Sequence, residues 1–224
     1  KAPTDLPTSR LFADIGLVAL RNTLVDGDNH VGMKFHANPY GAVSHGHEDQ
    51  NAFAIEAFGE PLAIPTGYYN YYYSKHHKLW TRSTRAKCAI TTDGGKGQDI
   101  GPAATGKITD FADSPLFTVT SGDATAAYGG RLTRSVRDVV FLKQPGVFVV
   151  RDELASATPR TFEYWLHALD GMKVDEKAQS VLITRPGASL AVRFFAPEGL
   201  KFKQFTAFDP PVLEQTKPYM VDNY

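Results

Sequence analysis

The sequence predicts an all-β protein, a large antiparallel β-sandwich with few or no helices. Three observations lead there. Short apolar or alternating runs recur along the whole chain, as strands with side chains on two faces require. Clusters of Gly, Pro, Asn and Asp punctuate those runs at fairly regular spacing, which supplies antiparallel turns. No segment keeps the 3.6-residue apolar period of an amphipathic helix for long. With 224 residues, the chain is long enough for one large all-β domain or two small ones around a buried core.

Taken in order, Lys1–Pro7 is rich in Pro and Thr, so residues 1–8 are expected as a linker leading into the domain. The domain itself is expected over residues 9–208. Gly16–Arg21 is a short apolar strand, Asp26-Gly27-Asp28-Asn29 a turn, and Val31–His36 the hairpin partner. Asn51–Phe58 alternates with Phe53, Ile55 and Ala57 on one side, and Pro61–Ile64 follows the Gly59-Glu60 turn. Gly67–Arg82 keeps no period and is expected as an irregular loop with room for one helical turn. Lys87–Thr92 resumes as a strand. Beyond it, Lys107–Ala112, Phe117–Ser121, Gly130–Leu142, Val147–Glu153, Thr161–Leu169, Val181–Arg185, Leu190–Phe195 and Leu200–Phe205 are predicted strands. Residues 209–224, with Pro210, Pro211 and Pro218, are expected as an exit strap.

Charge narrows the partners. Lys plus Arg number 24 and Asp plus Glu 24, so no global field favours nucleic acid or an anionic membrane. An anionic ligand has to meet a local basic patch. The single cysteine, Cys88, allows no internal disulfide and leaves the compartment open. No apolar run nears the roughly 20 residues with which a helix crosses a bilayer. The chain opens at Lys1 with neither an initiator Met nor a signal pattern, and a processed or truncated chain is expected.

Chemistry concentrates in Ser44-His45-Gly46-His47-Glu48-Asp49-Gln50-Asn51, after the turn Asn38-Pro39-Tyr40-Gly41. If that backbone is extended, His45, His47 and Asp49 share one face. Such a set suits a divalent metal, an acid–base pair or both; a hydrogen-bonded polar turn is the plain alternative. Further metal ligands from His76, His77 or Asp49 come at no diagnostic spacing. Five tyrosines within Tyr68–Tyr73, followed by Trp80, suit a stacking wall for sugar rings as well as an aromatic core. A neighbouring cation also favours loss of a tyrosine proton. Lys75, His76, His77, Lys78, Arg82, Arg85 and Lys87 form a basic set suited to an anionic ligand or to a solvated loop. His167 is expected as a satisfied sheet histidine, and Arg131, Arg134 and Arg137 as structural salt-bridging residues.

Three pieces together resemble the heparinase II/III-like polysaccharide lyases. They are Pro39 through Asn51; Phe58-Gly59-Glu60-Pro61-Leu62 with Gly67-Tyr68-Tyr69; and His76-His77-Lys78-Leu79-Trp80-Thr81-Arg82 running into Thr84-Arg85-Ala86 and Asp93-Gly94. The resemblance begins near Ser9-Arg10-Leu11-Phe12-Ala13-Asp14 and covers most of the chain. It implies the β-sandwich portion of an enzyme that cleaves uronate-containing polysaccharides by β-elimination, with an α/α-toroid domain N-terminally or in another chain. By motif position, His45 matches the active-site His of the sandwich, and Tyr72 or Tyr73 its Tyr. Gln50 and Asn51 are expected to place polar groups at the cleft. Tyr69, His77, Arg82 and Arg85 are expected to meet the sugar and its carboxylate.

The resemblance further implies a structural zinc with His47 as one ligand. Pro65 stands where an Asp ligand is expected and Lys87 where a His is expected. Proline has no donor side chain and lysine is normally protonated, so no cofactor is certain; the Lys87 ammonium is expected to supply the metal's charge instead. Partners are then an acidic polysaccharide or oligosaccharide, with no nucleic acid and no membrane. A periplasmic or secreted location follows from the resemblance alone. The competing class is a non-catalytic carbohydrate-binding or structural sandwich. A zinc hydrolase is the third, against which the ligand set argues.

Overall fold

In the first sheet, every second residue of the central strands joins the apolar core. The computed structural model describes residues 3–67, 72–196 and 199–211. Strands β1 (Arg10–Phe12), β2 (Leu17–Arg21), β3 (Val31–His36), β4 (Ala52–Ala57) and β5 (Glu60–Ala63) pair antiparallel in chain order. Their register aligns Leu20, Met33 and Ile55 in one row and Val18, Phe35 and Phe53 in the next. All six are buried. Removing each such side chain from water contributes about 1.5–3 kcal/mol, offset by ordering the chain.

After the short β6 (Ile90–Thr92) come β7 (Lys107–Asp113), β8 (Phe117–Asp123), β9 (Arg134–Leu142) and β10 (Val147–Ala155), a second antiparallel sheet in the order β10-β9-β8-β7. Val139 and Phe141 of β9 meet Val150 and Phe148 of β10, and the rings of Phe141 and Phe148 stack at 4.4 Å. β11 (Phe162–Tyr164) pairs with β6, while β12 (Met172–Asp175), β13 (Ser180–Thr184) and β14 (Ser189–Arg193) form a third antiparallel sheet. One apolar cluster joins the inner faces: Leu20, Phe35 and Phe53 from the first sheet, Val139 and Phe141 from the second, Val181 and Ile183 from the third. The predicted all-β sandwich is what forms.

Arg137 sits inside this core, fully buried. Its guanidinium forks onto Asp152 at 2.7 and 2.9 Å and donates to the carbonyls of Asn51 at 2.7 Å and Cys88 at 2.9 Å. The rings of Phe53 and Tyr164 lie 5.4 and 5.2 Å from it. Each of the three guanidinium nitrogens donates, which makes a buried cation tolerable. Arg131 with Asp99 and Arg134 with Glu153 are likewise ion pairs.

Several predicted strands need correction. The expected Gly130–Leu142 strand starts only at Arg134, because Gly129 and Gly130 adopt φ of 55° and 80° and turn the chain first. Thr161–Leu169 contracts to β11. Leu200–Phe205 pairs with no sheet; its aromatic side chains pack instead, Phe202 on Phe194 at 5.6 Å and Phe205 on Trp165 at 5.9 Å. β1 and β12 are strands the sequence pattern did not reveal. Most of the expected exit strap, residues 212–224, lies outside the described residues.

Candidate functional site

The His-rich stretch is a folded turn, not a strand. Asn38 starts it by accepting main-chain hydrogen bonds from Tyr40 (2.8 Å) and Gly41 (3.1 Å) through Oδ1. Gly41 has φ of 73°, and a Cβ there would meet Gly101 O at 2.4 Å, so only glycine fits. Ser44 and Asn51 both take positive φ, 51° and 59°, and the Gly46 N–H closes on Val43 O at 2.7 Å. The expectation that His45, His47 and Asp49 share one face therefore fails, because these bends aim the three side chains at different neighbours.

His45 is exposed and stacks on Tyr72, ring centroids 4.1 Å apart and planes 29° apart. The Tyr72 hydroxyl donates to Ser44 O, so the tyrosine is tied to the turn that carries His45. Tyr73 meets Tyr72 edge-on at 4.4 Å, and Lys78 Nζ lies 4.6 Å from the Tyr73 ring. Behind them is buried His77, with its ring 5.1 Å from Tyr72. His77 belongs to a π-helical turn, His77–Thr81, where the sequence had room for one helical turn. Its Nδ1 accepts from the Tyr73 N–H at 3.2 Å, and its own N–H is held by Ser74 Oγ at 3.1 Å. Burial, then the Arg82 charge, pulls the His77 pKa below its ordinary value. Burial and the adjacent Tyr73 hold the Tyr72 phenol above its ordinary value. The expected effect of a nearby cation is present at Tyr72, where Arg82 pulls the pKa down, but burial and Tyr73 outweigh it.

His47 occupies a separate corner. Lys87 Nζ lies 2.9 Å from His47 Nδ1 and donates to Thr81 O at 2.8 Å. Lys87 is only 5% exposed, and burial pulls its pKa down to about 8 against the opposing charge of Asp49. Burial and then Lys87 push His47 down to about 4. Burial pushes the neighbouring Glu48 carboxyl up to about 7. For Asp49, burial opposes the carboxylate, but His36 (Nδ1 to Oδ1, 3.4 Å) and the Lys87 and His47 charges outweigh it and lower the pKa. The residues do not fit the implied zinc. A lysine ammonium stands at the ring nitrogen, and among the described residues no three His, Cys, Asp or Glu side chains are grouped to hold an ion.

Other expected cleft residues are placed elsewhere. Gln50 is 1% exposed; its Oε1 accepts from the Asn38 N–H at 2.7 Å and its Nε2 donates to Ala104 O at 3.2 Å. Asn51 is also buried, with Nδ2 donating to Gly122 O at 3.0 Å and Ser135 O at 3.3 Å. The Gln50 amide and the Asn51 Nδ2 are bonded to main-chain partners and hold the turn against the sheets, and both side chains are buried rather than turned to a sugar. Arg82 is buried and donates to Ala42 O at 2.7 Å, which joins the π-helical turn to the polar turn. Arg85 is half-buried, 5.6 Å from the Trp80 ring. Tyr69 lies outside the described residues. His167 is hydrogen-bonded as expected, its Nε2 2.7 Å from Arg85 O, but it lies beyond the end of β11 and not in a strand; burial pushes it down to about 4. The titrating character of Glu48 was not foreseen. It arises from burial beside Thr84, far along the chain, which no local pattern signals.

Comparison with known proteins agrees with this fold. The family described as Heparinase II/III-like, C-terminal matches residues 4–209. The chain belongs to that family. Among solved structures, the sandwich is similar to the heparan sulfate lyase HepC of Pedobacter heparinus, with a TM-score of 0.68 and 20% identity over 83% of this chain and 28% of that one. It is also similar to the heparinase III BT4657 gene product, with a TM-score of 0.72 and 19% identity over 86% of this chain and 29% of that one. No curated protein matches the sequence. The heparinase II/III-like chain therefore spans less than a third of the length of these structural relatives.

Proposed function

We propose that this chain forms the sandwich wall of a sugar cleft in a polysaccharide lyase that cleaves uronate-containing glycans by β-elimination. The observation that carries the reading is the stack of exposed His45 on Tyr72, backed by His77. In β-elimination a base takes the proton alpha to the uronate carboxylate and an acid protonates the leaving glycosidic oxygen. Charge building on the carboxylate has to be met by polar or cationic groups. Tyr72, whose hydroxyl is a donor held at the turn that carries His45, suits the acid step. His45, exposed beside it, suits neutralising the carboxylate or sharing the proton transfer. Tyr73 adds an exposed ring for the apolar face of a sugar, and Lys78 adds a cation beside it.

The remaining groups come from elsewhere in the working protein, which we take to be an α/α-toroid domain in the same or another chain. The extra length of the structural relatives supports that arrangement. A periplasmic or secreted location belongs to the same proposal, since acidic polysaccharides are met there. The limited coverage also favours a second reading for the isolated chain, a carbohydrate-binding module without turnover. Incubation of the complete protein with heparan sulfate and other uronate-containing glycans separates the two. Rising ultraviolet absorbance from the unsaturated uronate product means lyase; binding with no absorbance change means module.

A further inference from the structure

The Lys87–His47 contact decides which nitrogen of His47 carries a proton. An ammonium has three donors and no acceptor. Lys87 Nζ points one donor at Thr81 O (2.8 Å) and stands 2.9 Å from His47 Nδ1. With the ammonium as donor, Nδ1 has to be the acceptor, so the ring is neutral and its proton sits on Nε2. Among the described residues no hydrogen-bond partner meets that Nε2, and the ring is only half-buried. It stands edge-on to His77 at 5.8 Å, and His77 in turn packs on Tyr72. His47 is thereby linked through buried His77 to the Tyr72 ring that stacks on His45.

We propose that Lys87 is a positioning residue that locks His47 as a neutral, Nε2-protonated donor for a carboxylate oxygen of an acidic sugar. The proposal rests on the cleft reading for its ligand, while the lock itself stands on the contact alone. It divides labour between the two histidines of the turn. His45 is the exposed ring stacked on Tyr72. His47 cannot accept one at Nδ1 while Lys87 occupies that nitrogen, so it binds and does not act as the base. A lysine that only tied Thr81 into the fold would leave the His47 tautomer unconstrained, which separates the two roles.

Histidine-selective 15N labelling of the full chain, with long-range 1H–15N correlation at pH 7, reads the tautomer directly. His47→Gln identifies the His47 signals. His167, whose ring contacts Arg85 O at 2.7 Å, reports that the fold is intact. The expected result is an unprotonated Nδ1 and a protonated Nε2 for His47 in the wild type. Lys87→Met should release the lock with His167 unchanged, and Lys87→Arg should restore it. Addition of free glucuronate should shift the His47 Nε2–H signal, and addition of glucose should not. In turnover, Lys87→Met should raise KM for an acidic oligosaccharide roughly tenfold and change kcat less, as loss of a charge-binding donor predicts. A wild-type His47 protonated on Nδ1, or a lock that survives in folded Lys87→Met, overturns the positioning role. If Lys87→Met does not fold, the wild-type tautomer decides alone. A glucuronate addition that leaves His47 unmoved overturns the carboxylate assignment. An intact lock in a protein without lyase activity would sink the lyase reading and leave the lock standing.

Discussion

Arg137 and Lys87 pose the same physical problem, a cation removed from water, and solve it differently. Arg137 is enclosed by a bidentate carboxylate, two carbonyls and two ring faces. Burial disfavours its charge, but Asp152 outweighs that and raises its pKa. At Lys87 burial wins, and the pKa falls to about 8. Its partners are a carbonyl and a neutral ring nitrogen, and Glu48 beside it titrates near neutrality. A fully matched buried cation is a fastening of the fold. A partly matched one sits among groups whose pKa values burial has moved, His47 down to about 4 and Glu48 up to about 7.

The sharpest way to break the contrast is to remove each cation in turn. Arg137→Met leaves Asp152 and two carbonyls unpaired in the core and should cost about 3–5 kcal/mol of stability, visible as a large drop in Tm. Lys87→Met strands fewer groups and should cost about 1–3 kcal/mol. Equal losses at the two sites would erase the distinction.

A smaller effect should appear in the pH dependence. Glu48 is raised from its ordinary 4.5 to about 7, so the folded state holds its proton more tightly than the unfolded chain. Its contribution to stability is full below about pH 4.5 and is lost as pH rises through about 7. His47 and His167, both near 4 when folded, act oppositely: their contribution is full above 6.5 and is lost as pH falls toward 4. Denaturation of Glu48→Gln against wild type from pH 4 to 8 isolates the first slope. The variant should gain relative stability as pH rises across that window, and a flat difference would place the Glu48 carboxyl in water.

Much of the sandwich was legible in the sequence because strand alternation is local. β2, β3, β4, β8 and β10 follow from neighbours within one strand. What stayed hidden depends on distant partners. β1 is three residues long and exists because β2 offers an edge, and Phe202 and Phe205 look like a strand but serve as packing studs. In the site, motif position names His45 with Tyr72 or Tyr73, and the fold stacks His45 on Tyr72. Gln50 and Asn51 misled, because polar residues in a polar turn say nothing about whether main-chain groups behind them, at Ala104, Gly122 and Ser135, will claim their amides. The mutual distance of Lys87 and His47, forty residues apart, is a property of the fold.

The least stability should be lost at His45, which is exposed: His45→Ala is expected to change it by less than about 0.5 kcal/mol. Its effect on chemistry should be the opposite. The most direct measurement of the cleft reading is the initial rate of unsaturated-uronate formation, followed by ultraviolet absorbance, for wild type and His45→Ala in the complete protein at equal folded concentration. The account predicts turnover by the wild type on a uronate-containing glycan and loss of at least about a hundredfold in the variant, the scale of one proton-transfer or charge-stabilising group. A His45→Ala protein that cleaves at the wild-type rate would contradict it.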